Sequence, residues 1–264
     1  MAVKRFVLPP DCHGEGEITL SGNDFHYLCR VRRLKGGDSV PAMLADGSRY
    51  FLSLTERGTN TCRARVLPDP DTDRQGESGL EEIPPIEVYQ AVPKGRALDD
   101  VVRRCVEAGV TRVVPVYTDF SVATAQPESS ERNRREERLQ RIARSAAEQC
   151  GAVRLPEIAP AVELSQIPSF AAKEDAAFFL HQEPLAEQSL HGYLEAAIRK
   201  VVLAVGPEGG FSPPELRLLE HKGFCPVYLG PQVLRAENAA FFAVAAIRVL
   251  LLERESWTTR NRQT

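Results

Sequence analysis

Two glycine-rich segments near the end of this 264-residue chain constrain its fold more than any other feature. The apolar run 201–205 leads directly into residues 206–212, and a second apolar run ends at Leu229 and Gly230 before the segment 233–240. Each run has the length of a buried strand, and glycine lets the chain turn sharply where the strand ends. Two such turns in succession predict a place where the backbone wraps a flat, nucleoside-like ligand, although tight turning alone would explain either loop taken singly.

Familiar phosphate-binding motifs do not fit the first of these loops. The loop lacks the Gly-Lys-Ser/Thr ending of a P-loop. A dinucleotide fingerprint needs three spaced glycines in the first strand-to-helix turn, whereas this turn comes late and Pro207 has no N–H to offer a phosphate. We therefore do not expect a ligand held by its pyrophosphate, and a nicotinamide-dependent oxidoreductase is disfavoured.

Composition predicts a soluble globular protein. The chain is 43% hydrophobic and 26% charged, with a net charge of −3. Residues 1–10 contain too short an apolar run for a signal peptide, and no uninterrupted apolar stretch reaches membrane-spanning length. The expectation is a cytoplasmic protein without a membrane role.

Cysteines and histidines give no support for a metal site. The six cysteines form no Cys-x-x-Cys pair, and the five histidines form no ligand pair at helical spacing. We interpret the thiols as reduced and mostly buried, and expect no metal. The residues concerned are Cys12, Cys29, Cys62, Cys105, Cys150, Cys225, His13, His26, His181, His191 and His221.

An acidic segment divides the chain. Residues 71–85 contain five carboxylates against a single arginine, together with glycines and prolines, and such a composition cannot bury a core. The predicted organisation is a first domain over 1–72, a linker over 73–85, a second domain over 86–254 and a polar tail over 255–264.

The first domain is predicted to be β-rich. Short apolar runs at 18–20, 39–44, 50–54 and 61–66 are separated by turn residues, and Asp46-Gly47 between two runs is a strong hairpin signal. A small barrel fits this pattern and such barrels often bind nucleic acid. Residues 30–35 carry four cations, which indicate either a solvated helix end before Gly36-Gly37 or contacts with an RNA backbone.

The second domain alternates between strand and helix patterns. Strands are predicted at 86–92, 112–117, 176–180, 200–205 and 225–229. Helices are predicted at 98–106 with Gly109 as terminator, at 131–150, and at 239–252, which is largely apolar. The fold class is α/β with a mainly parallel sheet.

Several motifs in order along the chain resemble those of the RsmE-type 16S ribosomal RNA (uracil-N3) methyltransferases of the SPOUT superfamily. The resemblance runs from about residue 4 to about residue 254. Its motifs are His26-Tyr27-Leu28, Arg32, Gly36-Gly37-Asp38, Lys94-Gly95-Arg96, the run 146–151, the run 206–212, Leu229-Gly230-Pro231 and Leu234-Arg235.

The resemblance implies a PUA-like β-barrel that binds RNA, followed by a SPOUT-type α/β domain with a trefoil knot. It implies a homodimer that uses S-adenosylmethionine to methylate uracil N3 of one uridine in 16S ribosomal RNA, either free or in the small subunit. The cofactor-binding residues that it implies are Leu180, His181, Gly206, Pro207, Glu208, Gly209, Gly210, Leu229, Gly230, Val233, Leu234 and Ala239.

The chemistry suggests roles for individual residues. Deprotonated uracil carries negative charge, and Arg235 beside the cofactor loops is the predicted stabiliser of that charge; an ion pair to Glu237 is the alternative. Glu208 is predicted either to accept the proton, to contact the ribose or to cap the following helix, and Asn238 to supply a hydrogen bond. RNA contacts are predicted for Arg5, His26, Arg30, Arg32, Arg33, Lys35, Lys94 and Arg96.

Two departures from the family pattern leave alternatives open. This chain has Ala236-Glu237-Asn238-Ala239 where the family usually has Thr-Glu-Thr-Ala, and Phe120 where it usually has arginine. The alternatives to the assigned reaction are a catalytically impaired RNA-binding or ribosome-assembly protein, and a SPOUT methyltransferase with a different RNA target.

Overall fold

The computed structural model describes residues 4–70, 83–121, 129–170, 174–185, 188–194 and 198–260. The chain forms two compact units. The first contains Met1–Leu80 and Ala147–Leu155, and the second contains Glu81–Ala146 and Pro156–Thr264. Most of the predicted linker at 73–85 lies outside the described residues.

The first unit is built on a five-stranded sheet. Its strands are β1 (Phe6–Val7), β2 (Gly16–Ser21), β3 (Ser39–Met43), β4 (Arg49–Arg57) and β5 (Thr61–Pro68). The order across the sheet is β1-β3-β4-β5-β2, with β1 parallel to β3 and the other neighbours antiparallel. Within the described residues no pairing joins the edge strands β1 and β2, so closure into a barrel stays a prediction.

The predicted hairpin at Asp46-Gly47 is confirmed, because it joins the antiparallel strands β3 and β4. Gly47 adopts a φ of +93°, which glycine permits without steric cost, and the Ser48 N–H donates to Asp46 Oδ1 at 2.8 Å. Side chains alternate in β5, where Cys62, Ala64 and Val66 are buried and their neighbours are exposed. That alternation builds the core of the unit on one face of the sheet.

A short helical segment follows β2. Helix α1 (Gly22–Phe25) continues into a π-helical stretch over His26–Val31. The helical stretch ends at Val31, before Gly36-Gly37 as one of the two alternatives predicted, and the chain then turns at Arg33, whose φ is +57°. The early turn lets Leu34 pack back against the core that Leu28 enters, and the Leu34 N–H donates to the Leu28 carbonyl at 3.0 Å.

Residues 147–155 belong to the first unit although they lie far along the chain. The Val7 N–H donates to Glu148 Oε1 at 3.1 Å, and the Leu155 N–H donates to the Ala45 carbonyl at 3.1 Å. Local patterns could not predict this assignment, because each contact joins residues more than a hundred positions apart.

The second unit contains a seven-stranded sheet in which every pairing is parallel. Six strands run in the order β12-β10-β11-β6-β7-β8, and β9 pairs with β7. The mainly parallel sheet predicted from the sequence is confirmed, and the short strands β8 and β9 are additional to the prediction. The strands are β6 (Ile86–Ala91), β7 (Arg112–Tyr117), β8 (Glu157–Ile158), β9 (Val162–Glu163), β10 (Asp175–His181), β11 (Lys200–Val205) and β12 (Cys225–Tyr228).

The remaining helices are α2 (Ala97–Glu107), α3 (Ser129–Cys150), α4 (Leu190–Leu194), α5 (Pro213–His221) and α6 (Ala236–Arg260). Helix α2 ends as predicted, with Gly109 in the left-handed region at a φ of +81°. The predicted end of the last helix at residue 252 is wrong, because no proline or glycine interrupts the chain before Arg260. The first part of the predicted tail at 255–264 is therefore helical, and residues 261–264 lie outside the described residues.

Helix α6 is apolar on two faces. One face packs against α2, β11 and β6, and its buried residues are Ala240, Ala243, Val244, Ile247 and Leu251. Other apolar side chains of the same helix are exposed, namely Phe241, Phe242, Val249 and Leu252. The core of the second unit therefore accounts for only part of the apolar character of α6.

Candidate functional site

Three loops at one edge of the parallel sheet enclose a cavity. They follow β10, β11 and β12, which are neighbours in the order β12-β10-β11, and the carboxyl ends of parallel neighbours meet at one edge. The space between the loops measures about 660 Å³, including the part open to solvent. Its lining residues are Leu180, His181, Gln182, Val205, Gly206, Pro207, Glu208, Gly210, Leu229, Gly230, Pro231, Gln232, Val233, Leu234, Ala236 and Ala239.

This cavity brings together all but one of the predicted cofactor-binding residues. The exception is Gly209, which lies against the side chain of Phe120 instead. Five further residues line the cavity, namely Val205, Gln182, Pro231, Gln232 and Ala236. Val205 ends β11, and the other four lie in the loops 180–183 and 229–239, to which the family resemblance assigns the cofactor.

The loop after β11 needs glycine at its first position. A β-carbon on Gly206 would lie 3.0 Å from the carbonyl carbon and 3.1 Å from the α-carbon of Gly210. Gly210 itself has a φ of +71°, and its N–H donates to the Pro207 carbonyl at 2.9 Å. Two backbone segments therefore approach closely in this turn, and a β-carbon at Gly206 would require Gly210 to shift by a few tenths of an ångström.

The loop after β12 leads into helix α6 beside the cavity. Gly230 adopts a φ of +115°, and the carbonyl of Arg235 accepts hydrogen bonds from the N–H groups of Asn238 and Ala239 at 2.9 and 2.8 Å. Val233 lines the cavity with 74% of its surface exposed. An exposed valine on a cavity wall gives a ligand apolar surface to cover.

Arg235 stands immediately before α6 and its side chain is exposed. Within the described part of the chain its guanidinium makes no ion pair or hydrogen bond, and the alternative pair with Glu237 is not formed. Arg235 is not a lining residue of the cavity, although its neighbours Leu234 and Ala236 both are. The charge is therefore placed at the rim and is available to a bound anion.

Asn238 is directed elsewhere. Its Oδ1 accepts a hydrogen bond from the Arg104 guanidinium on α2, and Asn238 does not line the cavity. The predicted catalytic hydrogen bond from Asn238 is not supported by this arrangement, which favours a structural link between α6 and α2.

Glu208 lines the cavity and is exposed. The prediction that it caps the following helix is wrong, because the cap of α5 is Ser212. Ser212 Oγ accepts from the Glu215 N–H at 3.4 Å, and the Ser212 N–H donates to Glu215 Oε2 at 2.8 Å. This reciprocal arrangement leaves Glu208 to act toward the cavity, either as a ribose contact or as a proton acceptor.

The cap of α5 also holds the loop after β7. Asp119 donates its N–H to Glu215 Oε1 at 2.8 Å and accepts at Oδ2 from Ser212 Oγ at 2.5 Å. Ser212 and Glu215 are both buried. A buried polar network of this kind fixes the loops after β7 and β11 to each other.

Six of the predicted RNA-binding residues lie in the first unit. Burial together with the nearby charge of Arg49 lowers the pKa of the half-buried Arg5, and Asp69 acts in the opposite direction. The Arg30 guanidinium lies 5.8 Å from the centre of the Phe25 ring. The other four are exposed, namely His26, Arg32, Arg33 and Lys35.

Lys94 and Arg96 lie in the second unit and are exposed on the loop between β6 and α2. Strand β6 stands between β11 and β7 in the sheet. Their loop therefore leaves the same sheet edge as the loop that carries Glu208.

The described residues contain no group of three or more histidine, cysteine or acidic side chains that could hold a metal ion. No helix among them is long and apolar enough to cross a membrane. All six cysteines lie within the described residues; four are buried, two are partly buried, and no disulfide joins any two of them.

Comparison with known proteins identifies two family regions. Residues 81–248 match the model of an RNA methyltransferase domain, and residues 20–67 match that of an RNA methyltransferase PUA domain. A ribosomal RNA small subunit methyltransferase E from a Synechocystis species is 32% identical over 94% of this chain and 78% of its own length. The protein of the same name from Mycobacterium bovis is 30% identical over 88% of this chain and 86% of its own.

Solved structures agree with these matches. A ribosomal RNA small subunit methyltransferase E from Neisseria gonorrhoeae, bound to S-adenosylmethionine, matches with a TM-score of 0.76 and 25% identity over 94% of this chain and 98% of its own. A Legionella pneumophila protein described as a methyltransferase, also with bound S-adenosylmethionine, matches with a TM-score of 0.78 and 27% identity over the same shares of both chains. The chain therefore belongs to the RNA methyltransferase family that includes the ribosomal RNA small subunit methyltransferases E, and its N-terminal unit is PUA-like.

Proposed function

We propose that this protein uses S-adenosylmethionine to methylate ribosomal RNA of the small subunit in the cytoplasm, and that the methylated atom is N3 of one uracil. The observation that carries the proposal is the cavity between the loops after β10, β11 and β12. It occurs in a chain that matches S-adenosylmethionine-bound relatives over 94% of its length.

The cavity residues fit this cofactor. Leu180, Leu229, Val233 and Leu234 offer apolar walls for the adenine, and the glycines let main-chain groups approach it closely. Glu208 provides a carboxylate that can accept hydrogen bonds from ribose hydroxyls or attract the positively charged sulfonium. A nucleoside with an amino acid arm needs this combination of apolar surface and a few polar groups.

The bound cofactor supplies an electrophilic methyl group, and the protein must present a nucleophilic nitrogen to it. Uracil N3 becomes nucleophilic when it loses its proton, which leaves negative charge on the ring and its two carbonyl oxygens. Arg235 can stabilise that charge because its guanidinium stays protonated and has no partner within the described residues. Glu208 on the cavity wall is the candidate proton acceptor, with ribose binding as its alternative role.

RNA binding is proposed for the exposed cations of both units. Arg30, Arg32, Arg33 and Lys35 lie close together in sequence at the end of one helical segment, and Lys94 and Arg96 lie on the sheet edge that carries the cavity. Phosphate contacts of this kind supply affinity and position the substrate without reading its sequence.

We also propose a homodimer, with α6 as part of the interface. Phe241, Phe242, Val249 and Leu252 expose apolar surface along a helix whose other face is already buried in the core. A second copy of the chain is the occupant of that surface, since a twofold dimer would place the same apolar patch against itself.

A trefoil knot is the remaining part of the proposal. Strand β12 follows β11 in the chain but pairs with β10, and α6 then returns to pack against β11 and β6. Pulling the two ends apart in an optical trap would test this arrangement. A knotted chain would reach an unfolded length shorter than 264 residues allow, and full extension would show that no knot exists.

Methyl transfer from radiolabelled S-adenosylmethionine tests the function directly. The purified protein is incubated with unmodified small subunits and separately with free 16S ribosomal RNA, and the RNA is digested to nucleosides. Label in 3-methyluridine is the expected result. Label in another nucleoside would point to a different target, and cofactor binding without any label would favour an RNA-binding or assembly protein.

A further inference from the structure

Phe120 is an exposed aromatic residue beside the proposed cofactor site. It lies in the loop after β7, and half of its surface, 50%, is exposed. A β-carbon on Gly209 would lie 3.4 Å from Cβ, Cγ and Cδ2 of Phe120, so the side chain rests on the Gly209 backbone. The two neighbours of that glycine, Glu208 and Gly210, both line the cavity.

The loop around Phe120 is held on both sides of the ring. Before it, the Asp119 N–H donates to Glu215 and the Asp119 carboxylate accepts from Ser212. After it, Ser121 Oγ accepts from the Thr118 N–H at 3.1 Å and lies 2.9 Å from Thr118 Oγ1. These contacts keep a large apolar side chain at the surface, where hydrophobic burial gives no reason for it to be.

Two exposed cations lie on a loop at the same sheet edge as the ring. Strands β11, β6 and β7 are parallel neighbours, so the loops that follow them leave one sheet edge in that order. The loop after β6 carries Lys94 and Arg96, and both are exposed. An exposed aromatic ring and exposed cations at one edge of a sheet are the combination that binds single-stranded nucleic acid.

We propose that Phe120 stacks on a nucleobase of the RNA substrate next to the nucleotide that receives the methyl group. This inference rests on the proposed function and deepens it by naming a substrate contact. Stacking accepts any base, because every base offers a π face, so Phe120 strengthens binding and positions the strand without selecting its sequence. A free ring face meets a base while the opposite side stays against Gly209.

Substitution of Phe120 by leucine and by tryptophan separates stacking from packing. Phe120→Leu keeps an apolar side chain of similar size without a π system, and Phe120→Trp keeps the π system. We expect the leucine variant to raise the KM for small subunits or 16S RNA about tenfold, with kcat changed less than KM, and the tryptophan variant to restore the KM. The Kd for S-adenosylmethionine, measured by calorimetry without RNA, should stay within about twofold in both variants, since base stacking requires RNA.

Two outcomes would overturn the inference. One is a leucine variant with the KM of the unsubstituted protein. The other is a leucine variant that loses affinity for S-adenosylmethionine without RNA, because Phe120 would then act by supporting the Gly209 turn.

A binding measurement keeps this test separate from the test of the reaction itself. If the unsubstituted protein transfers no methyl group, the proposed function fails, and the fluorescence of Phe120→Trp still decides the contact. Quenching of that tryptophan by a 16S RNA fragment, corrected for the single native tryptophan with the unsubstituted protein, is the expected result. Absence of quenching at RNA concentrations that saturate binding would exclude stacking.

Discussion

The main-chain N–H of Asp119 donates a hydrogen bond of 2.8 Å to the buried carboxylate of Glu215, 96 residues further along the chain. The same carboxylate accepts from the Ser212 N–H at the start of α5. One side chain therefore joins the beginning of the loop after β7 to the first turn of the helix after the cavity loop. The polar contacts of Glu215 determine the position of both loops relative to the sheet edge.

Removal of this carboxylate should destabilise the second unit. Glu215→Ala leaves two N–H groups without acceptors, at a cost of about 2–4 kcal/mol in the free energy of unfolding. Glu215→Gln keeps one acceptor oxygen and should lose about half as much. Urea denaturation measures both values.

Glu220→Ala is the matched control on the same helix, because Glu220 is exposed. Its free energy of unfolding should stay within about 0.5 kcal/mol of the unsubstituted value. Equal losses for Glu215→Ala and Glu220→Ala would contradict the importance of the network.

Gly206→Ala should weaken cofactor binding. The added β-carbon would lie 3.0–3.3 Å from main-chain atoms of Gly210, so the main chain of Gly210, which lines the cavity, would have to shift by a few tenths of an ångström. We expect the Kd for S-adenosylmethionine, measured by calorimetry, to rise at least about tenfold, which is the effect of about 1.4 kcal/mol. Gly209→Ala should lose much less affinity, because its β-carbon reaches only the Phe120 side chain at 3.4 Å; the reverse order would show that this loop does not shape the site.

Arg235→Ala should slow methyl transfer without affecting the folded state. Loss of one charge stabiliser typically lowers kcat about 100-fold or more, and lysine at this position should recover part of the rate. The melting temperature and the Kd for S-adenosylmethionine should hardly change, because the guanidinium has no partner among the described residues. The control is Arg217→Ala, because Arg217 is exposed on α5. If the Arg217→Ala and Arg235→Ala variants had the same kcat, Arg235 would have no specific role in the reaction.

Phe242→Glu should dissociate the proposed dimer. Phe242 is 53% exposed on the outer face of α6, and a carboxylate there would have to be buried twice in a twofold interface. Light scattering after gel filtration should show a monomer, with a dissociation constant raised at least about 100-fold from the loss of two buried aromatic groups. The control is Val153→Glu, which changes an exposed apolar residue of the first unit and should leave the dimer intact. If the unsubstituted protein were itself a monomer, the proposed interface would be refuted.

Cys105 should make the stability of the protein depend on alkaline pH. Burial raises the pKa of this thiol from 9.0 to about 12. As the pH rises above 9, the unfolded chain loses the thiol proton before the native chain does, so the contribution of Cys105 to stability falls between pH 9 and about 12. Urea denaturation at pH 8 and at pH 10 measures this effect. The free energy of unfolding should fall less between these pH values for Cys105→Ala than for the unsubstituted protein, and an equal fall in both would contradict the role of Cys105.

The sheet and the cavity could be predicted because their signals are local. Short apolar runs that end in glycine mark the carboxyl ends of buried strands, and parallel strands bring those ends together. Gly206 and Leu229 therefore fall on one cavity although they are separated in the chain, whereas no glycine follows Leu180 and only the family resemblance placed it there. The capping pair Ser212 and Glu215 was missed in favour of Glu208, although serine three positions before glutamate with proline between them is a helix-start pattern.

Other features depend on tertiary packing that local patterns do not contain. Asn238 points toward α2 because α6 packs against α2. Its hydrogen-bond partner there is Arg104, which lies 134 residues earlier in the chain. The turn at Arg33 has no sequence signal, because a φ of +57° is uncommon for any residue other than glycine.

The segment 147–155 has a practical consequence for dissecting this protein. The family match over residues 81–248 suggests that cutting the chain near residue 80 would yield two self-sufficient pieces. Yet Glu148 and Leu155 complete the hydrogen bonding of Val7 and Ala45, and they are encoded in the middle of the other piece. The N-terminal fragment would lack residues 147–155, which belong to its own compact unit, and the C-terminal fragment would carry them without that unit. The catalytic half therefore cannot be obtained by truncation alone.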